Sequence, residues 1–156
     1  MASSRHFSDM NFSSAYPDNN STKELFLQAG GRKASDVPRH VLLFWWNNQS
    51  SNMREIVQLK GISGRYTYDH RVQMSSPTSE MNNERWSLGM ATRAARNRII
   101  EIAAAVPFNP RSTVNDCRVW MRLLLEAMVQ EHIITQEKFD EIDRVQIPLP
   151  RPAPEV

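Results

Sequence analysis

Residues 41–46 form the most continuous hydrophobic run in the chain and follow directly after His40. A run that is apolar on both faces is typical of a central strand covered on each side. Two further strands are predicted over 54–60 and 65–73, separated by a four-residue hairpin loop. Side chains alternate along the second of these strands, which indicates that one face of the sheet meets water.

The second half of the chain follows a helical period instead. Helices are predicted over 86–106, where Pro107 ends the pattern, and over 117–131, where Asn115 is the expected N-cap. Thr135 is expected to cap a short third helix. Residues 75–83 are interpreted as a loop, and 21–28 leave two possibilities open, a helix begun by a capping box or a short buried strand. A small antiparallel sheet packed on helices predicts an α+β fold.

The 156 residues are enough for a single hydrophobic core, and 40% of them are hydrophobic. Residues 1–22 are rich in serine and asparagine and are predicted to be a disordered arm. A single domain is predicted over 23–146, and the proline-rich residues 147–156 are expected to be an extended tail without a core of its own.

Composition excludes several classes of function. The net charge of +2 and the scattered arginines give no sign of a nucleic-acid or membrane surface. No secretory signal or membrane span is recognisable, and the single cysteine rules out an internal disulfide, so a cytoplasmic protein is expected. No nucleotide-binding motif or metal-ligand spacing is present, so neither a cofactor nor a metal is predicted.

The single cysteine, Cys117, lies near the start of the predicted helix after Asn115. Backbone N–H groups and the helix dipole favour a thiolate there, although a lone cysteine is also often a small buried hydrophobe. The neighbouring Asp116 would partly oppose the dipole. A nucleophilic cysteine needs a base, and His40 at the mouth of the buried strand is the candidate. The competing interpretation is an inert, hydrogen-bonded histidine.

A third polar residue should orient the imidazole. Gln58 interrupts an otherwise apolar series on the next predicted strand, and a polar group there is costly to bury unless it is paired. Asp69 and His70 are rivals one strand further on, although both fit a solvated edge strand.

A histidine that opens a buried strand, two more strands, and then Asn-Asp-Cys-Arg-Val-Trp opening a helix resembles the circularly permuted papain-like pattern. That superfamily includes the NlpC/P60 and lecithin:retinol acyltransferase-like proteins. The chain also resembles a group of small fungal proteins that includes a polyketide chain-fusing enzyme. The resemblance implies Cys117 as nucleophile and His40 as base, with Gln58 standing where the family often has histidine.

The resemblance also implies acyl transfer through a covalent thioester on Cys117. Backbone N–H groups at Cys117 and Arg118 would hold the oxyanion, and Phe44, Trp46 and Trp120 are candidates for a dry substrate pocket, although each also fits a plain core position. A carbanion from a second β-ketoacyl chain would resolve the intermediate by Claisen-type condensation. The expected partners are acyl thioesters, including chains on the carrier protein of a polyketide synthase. The alternatives are a Cys/His hydrolase on the same scaffold and a non-catalytic binding protein.

Overall fold

The computed structural model describes residues 10–31 and 39–155. Within these ranges the strands are β1 (Lys23–Gly30), β2 (Val41–Asn48), β3 (Met53–Ile62), β4 (Arg65–Met74) and β5 (Asn83–Ala91). The helices are α1 (Pro77–Asn82), α2 (Arg93–Ala104), α3 (Cys117–Gln130) and α4 (Gln136–Glu141), the last of which runs into a π-helical turn, Ile142–Gln146.

The strands form one sheet in the order β4-β3-β2-β1-β5, and all neighbouring strands are antiparallel. The predicted α+β class with an antiparallel sheet is confirmed. Strand β2 is central and buried on both faces, as its unbroken hydrophobic run predicts. Val41, Leu43 and Trp45 join the larger core cluster with the helices. Leu42 and Phe44 lie in a smaller cluster on the opposite face.

The prediction of a helix over 86–106 is wrong for residues 86–91, which form most of strand β5. This segment pairs with β1 along its length, and Gly89 has a φ of 101°, which is outside the helical region. Pairing with an edge of the sheet therefore overrides the local helical pattern. Helix α2 begins only after Thr92, whose side chain accepts a hydrogen bond from the Ala95 N–H.

Three other local predictions are resolved by the structure. Of residues 21–28, all from 23 onward lie in β1 rather than in a helix, and the predicted loop over 75–83 contains the short helix α1. Thr135 caps α4 by accepting from the Lys138 N–H, as expected.

Both terminal segments pack more closely than the sequence suggests. Residues 1–9 lie outside the described residues, but the part of the predicted arm that is described holds Asp18, whose side chain is 6% exposed and ion-paired with the fully buried Arg96. At the other end, Ile147 and Leu149 belong to the larger core cluster. The proline-rich tail therefore shares the core of the domain rather than running free.

Strands β2 and β3 separate at one end of the sheet. Their pairing runs from Asn48↔Met53 to Leu43↔Val57 and stops there, whereas β3 continues to pair with β4 as far as Ile62. The backbone N–H of Val41 is consequently not used in the β2–β3 ladder. Helix α3, which contacts both strands, begins with Cys117 beside this N–H group. The open end of the sheet thus positions the candidate nucleophile.

The β3–β4 hairpin is tighter than the predicted four-residue loop. Gly61 and Ile62 still pair with Tyr66 and Arg65, so only Ser63 and Gly64 make the turn. Gly61 has a φ of 118°, and a Cβ built on it would lie 2.1 Å from the Arg65 carbonyl oxygen. Any side chain at this position therefore collides with backbone.

Gly61→Ala is expected to lower the free energy of unfolding by more than about 1 kcal/mol, because strain and a backbone collision add together. Urea denaturation measures the loss. Gly89→Ala is the matched control: its φ is also positive, but no atom lies within 4 Å of the added Cβ. Equal losses in the two variants would contradict the role of the collision.

Candidate active site

Cys117 is the first residue of α3, and the N-cap is Asp116 rather than the predicted Asn115. The Asp116 carboxylate accepts a hydrogen bond from the Arg118 N–H at 2.9 Å and is also bound by the Arg118 guanidinium. Asn115 has a different partner, since its side-chain amide bonds both backbone groups of Ala153, each at 2.8 Å. The C-terminal segment therefore anchors the chain two residues before the cysteine.

The Cys117 thiol does not have the low pKa that its helix position predicts. Burial is the largest influence and raises the pKa, and the Asp116 charge acts in the same direction. A hydrogen bond from the Val41 N–H and the Arg118 charge lower the pKa but do not outweigh burial. Cys117 is therefore a thiol rather than a thiolate at neutral pH, so its activation requires a base.

The structure brings Cys117 and His40 to the same end of the sheet. The sulfur contacts the N–H of Val41, the residue that follows His40 in the chain. Gln58 shares a face with Ile56 of the smaller cluster, whereas Cys117 packs against the larger cluster on the other face of the sheet. Between these described residues no hydrogen bond joins the sulfur to the His40 ring. His40 itself is exposed.

A chain of hydrogen bonds extends from His40 into the sheet. His40 Nε2 donates to Gln58 Oε1 at 2.6 Å, and Gln58 Nε2 donates to Asp69 Oδ2 at 2.7 Å. Gln58 is buried and lies directly opposite Asp69 across the β3–β4 pair. The polar interruption in β3 thus has the imidazole as a partner, and Asp69 lies behind it.

His70, the other candidate for orienting the His40 ring, takes no part in the hydrogen bonds that link His40, Gln58 and Asp69. Its Nε2 donates to Glu55 Oε2 at 2.6 Å, and Glu55 also accepts from Asn47 at 2.8 Å. Because strand side chains alternate, His70 faces away from Asp69. This second polar cluster lies apart from Gln58.

The three aromatic residues predicted to line a substrate pocket do not come together. Trp120 is 2% exposed and packs against Tyr68 in the larger cluster. Phe44 is buried in the smaller cluster and makes an edge contact with Trp46. Trp46 lines an open cavity of about 460 Å³ together with Phe26. Trp120 and Phe44 are core residues, and the site has another apolar neighbour.

That neighbour is a cavity of about 370 Å³ that begins beside Asn115. It is mostly apolar, because α3, the segment after α2 and the C-terminal segment all contribute hydrophobic side chains. Its lining residues are Pro107, Phe108, Asn109, Asn115, Val119, Leu123, Pro152, Ala153 and Glu155. The sequence could not indicate this cavity, since its walls come from three distant segments.

Of the two predicted oxyanion donors, the Arg118 N–H is occupied by Asp116. The Cys117 N–H lies at the first position of the helix, where no earlier carbonyl of the helix can accept it. The Val41 N–H also faces the sulfur, and sequence reasoning missed it because the opening of the β2–β3 ladder has no local signal. Two backbone donors therefore surround the sulfur.

Comparisons with the models of known protein families, with curated proteins and with solved structures found no match. Within residues 10–31 and 39–155, no helix combines the length and the apolar character needed to cross a bilayer. In the part of the chain that the structure describes, no group of three or more histidine, cysteine, aspartate or glutamate side chains is arranged to hold a metal ion.

Proposed function

We propose that this protein is a cysteine-dependent acyl-transfer enzyme whose nucleophile is Cys117 and whose base is His40. One observation carries the proposal: the sulfur lies at a helix N-terminus on the Val41 N–H, one residue from an imidazole that Gln58 orients. Catalytic hydrogen bonds are often long without substrate and shorten when it binds, so a Cys/His pair does not require a hydrogen bond between sulfur and ring in the free protein.

In the first step His40 Nδ1 takes the thiol proton, and the sulfur attacks the carbonyl carbon of an acyl thioester. The N–H groups of Cys117 and Val41 are the donors placed to stabilise the oxyanion. As the tetrahedral intermediate collapses, the bond to the departing thiol breaks and the imidazolium returns its proton to that thiol. The acyl group is then attached to Cys117, and His40 is neutral again.

In the second step a carbanion resolves the acyl-enzyme. The neutral His40 takes a proton from the carbon between the two carbonyl groups of a second β-ketoacyl thioester, and that carbon attacks the acyl group on Cys117. A carbon–carbon bond forms, the carbon–sulfur bond breaks, and the imidazolium returns its proton to the released Cys117 thiolate. The cavity beside Asn115 favours this assignment, since its mostly apolar lining offers a binding surface for an acyl chain two residues from the nucleophile. Substrates on a polyketide synthase carrier protein fit the same chemistry.

Hydrolysis of the acyl-enzyme is the second candidate. His40 is exposed, so water can reach the base and be activated by it. Both outcomes share the first step, and they differ in the nucleophile that resolves the intermediate.

Incubation with the acetoacetyl thioester of N-acetylcysteamine tests the proposal. After an acid quench, the intact mass is expected to show the gain of one acetoacetyl group, which peptide mapping assigns to Cys117. Cys117→Ala is expected to show no gain, and His40→Ala is expected to gain it far more slowly. If the wild type forms no adduct and Cys117 alkylates no faster than a free peptide thiol at pH 6–7, Cys117 is not a nucleophile and the proposal is refuted. A fused product in the supernatant supports condensation, whereas free acid alone supports hydrolysis.

A further inference from the structure

We propose that Asp69 is a positioning residue that sets which nitrogen of His40 carries the proton. By fixing the orientation of the Gln58 amide, Asp69 keeps the proton on Nε2 and leaves the Nδ1 lone pair free. The catalytic consequence of this inference rests on the proposed function, but the tautomer itself does not. His40, Gln58 and Asp69 lie on three adjacent strands or their ends, so the sheet holds the chain in register.

Which group donates in each hydrogen bond between Asp69, Gln58 and His40 follows from the chemistry of these side chains. An ionised carboxylate only accepts hydrogen bonds, whereas an amide has one donating and one accepting end. Asp69 Oδ2 accepts a hydrogen bond from the Gln58 amide nitrogen at 2.7 Å. The amide oxygen therefore points toward His40 and lies 2.6 Å from its Nε2 atom. An oxygen that can only accept requires a proton on the facing ring nitrogen. Nε2 is therefore protonated in the neutral ring, and Nδ1 is the available base.

The surroundings of Asp69 keep its carboxylate in place. Arg71 Nε lies 3.3 Å from the same Oδ2 atom and holds it, whereas Lys60 Nζ, 3.9 Å from Oδ1, is beyond hydrogen-bond distance. Gln58 is 6% exposed and the Asp69 side chain is 11% exposed, so little water competes for the hydrogen bond between the Gln58 amide nitrogen and the Asp69 carboxylate. Without an acceptor at this position, nothing on this side would decide which end of the amide faces the imidazole.

The variants Asp69→Ala and Asp69→Asn separate the acceptor from the charge. Alanine removes the acceptor, so the Gln58 amide can turn and offer its nitrogen to His40, which places the ring proton on Nδ1. Asparagine can place Oδ1 where Oδ2 lies and accept from both Gln58 and Arg71. We therefore expect the alanine variant to lose the single tautomer and the asparagine variant to keep it.

Long-range ¹H–¹⁵N correlation spectra of the ¹⁵N-labelled full chain report the tautomer directly. The protein has four histidines, and the spectrum of His40→Asn identifies the His40 signals by their loss. The wild type is expected to show Nε2–H and an unprotonated Nδ1 when the ring is neutral. Asp69→Ala is expected to show a mixture or Nδ1–H. Lys60→Ala is the matched control, because it removes a nearby charge but leaves the hydrogen bonds between His40, Gln58 and Asp69 in place. Its spectrum is expected to match that of the wild type.

A restoring variant keeps the inference testable if Asp69→Ala alone folds poorly. In the double variant Gln58→Glu/Asp69→Ala, the carboxylate at position 58 only accepts, so the Nε2–H tautomer should return without Asp69. Persistence of Nε2–H in Asp69→Ala would overturn the inference, as would its loss in Asp69→Asn.

Kinetics separate this inference from the proposed function. If His40 is the base, Asp69→Ala should lower kcat for acetoacetyl transfer by about tenfold to a hundredfold, with KM nearly unchanged, as expected for loss of an outer partner. A changed tautomer with unchanged kcat would support the role of Asp69 and remove His40 as the base. The absence of any acyl adduct in the wild type would refute the proposed function and leave the tautomer result standing.

Discussion

His40→Ala is expected to slow acylation of Cys117 at pH 7 by at least about a hundredfold, which is the lower range of what a general base contributes. The physical reason is that burial raises the pKa of the Cys117 thiol, so thiolate is scarce at neutral pH unless a base takes the proton. In the variant, only spontaneously formed thiolate reacts. Because the thiolate fraction rises tenfold per pH unit below the thiol pKa, the deficit should shrink as the pH rises.

The measurement is the rate of acetoacetyl adduct formation between pH 6 and pH 9, followed by intact mass after quenching. His132→Asn is the matched control, because His132 is an exposed histidine with a φ of 61°, a conformation that asparagine also tolerates. Its rates should equal those of the wild type. A deficit in His40→Ala that stays constant across this range would show that His40 does not act by taking the thiol proton.

Asp18→Ala is expected to lower the free energy of unfolding by about 3–5 kcal/mol, the usual cost of removing one partner from a buried ion pair. Arg96 is 0% exposed, and its guanidinium binds both Asp18 oxygens, at 2.9 Å and 3.0 Å. Lys23 Nζ lies 2.8 Å from the same carboxylate. The variant leaves a buried arginine without its counter-charge. Urea unfolding at pH 7 measures the loss.

The ion pair between Asp18 and Arg96 also predicts that the free energy of unfolding of the wild type falls in acid. Burial alone would raise the pKa of Asp18, but hydrogen bonds from Arg96 and Lys23 outweigh it and lower the pKa. A carboxyl whose pKa is lowered on folding stabilises the protein above its unfolded pKa of about 3.9, and that stability is lost as the pH falls through the folded value. In Asp18→Ala the free energy of unfolding should fall less steeply as the pH is lowered.

Glu131→Ala serves as the control for Asp18→Ala, since it also breaks a carboxylate–arginine pair, with Arg98, but on the surface. Exposed pairs contribute little. A loss in Glu131→Ala as large as that in Asp18→Ala would mean that burial of Arg96 is not what makes the interior pair costly to break.

Local pattern was sufficient for the elements that carry the site. The hydrophobic run after His40 predicted the central strand, and the period after Asn115 predicted α3, because each pattern is set by residues close in sequence. Residues 86–91 were assigned to the wrong element, since their structure depends on pairing with β1, about 60 residues earlier in the chain. The prediction of a disordered arm misses Asp18 for the same reason, because its partner Arg96 lies on α2.

The site was predictable in its residue types but not in its geometry. Gln58 is predictable as a site residue because a polar side chain in an apolar strand needs a partner. The structure provides that partner in His40. The position of Asp116 as N-cap and the contact of the Val41 N–H with the sulfur depend on one-residue details of where α3 meets the sheet. The raised pKa of Cys117 follows from burial, which the sequence pattern indicated only as an alternative to reactivity.

The pairing of Asn115 with Ala153 has a consequence for the order in which the site is assembled during synthesis. The ribosome releases Cys117 and His40 well before it releases the segment that anchors the loop in front of α3. Until residues 147–155 emerge, the cavity beside Asn115 lacks one wall, and the larger core lacks Ile147 and Leu149. A nascent chain therefore contains its cysteine before the cavity beside Asn115 and the larger core are complete.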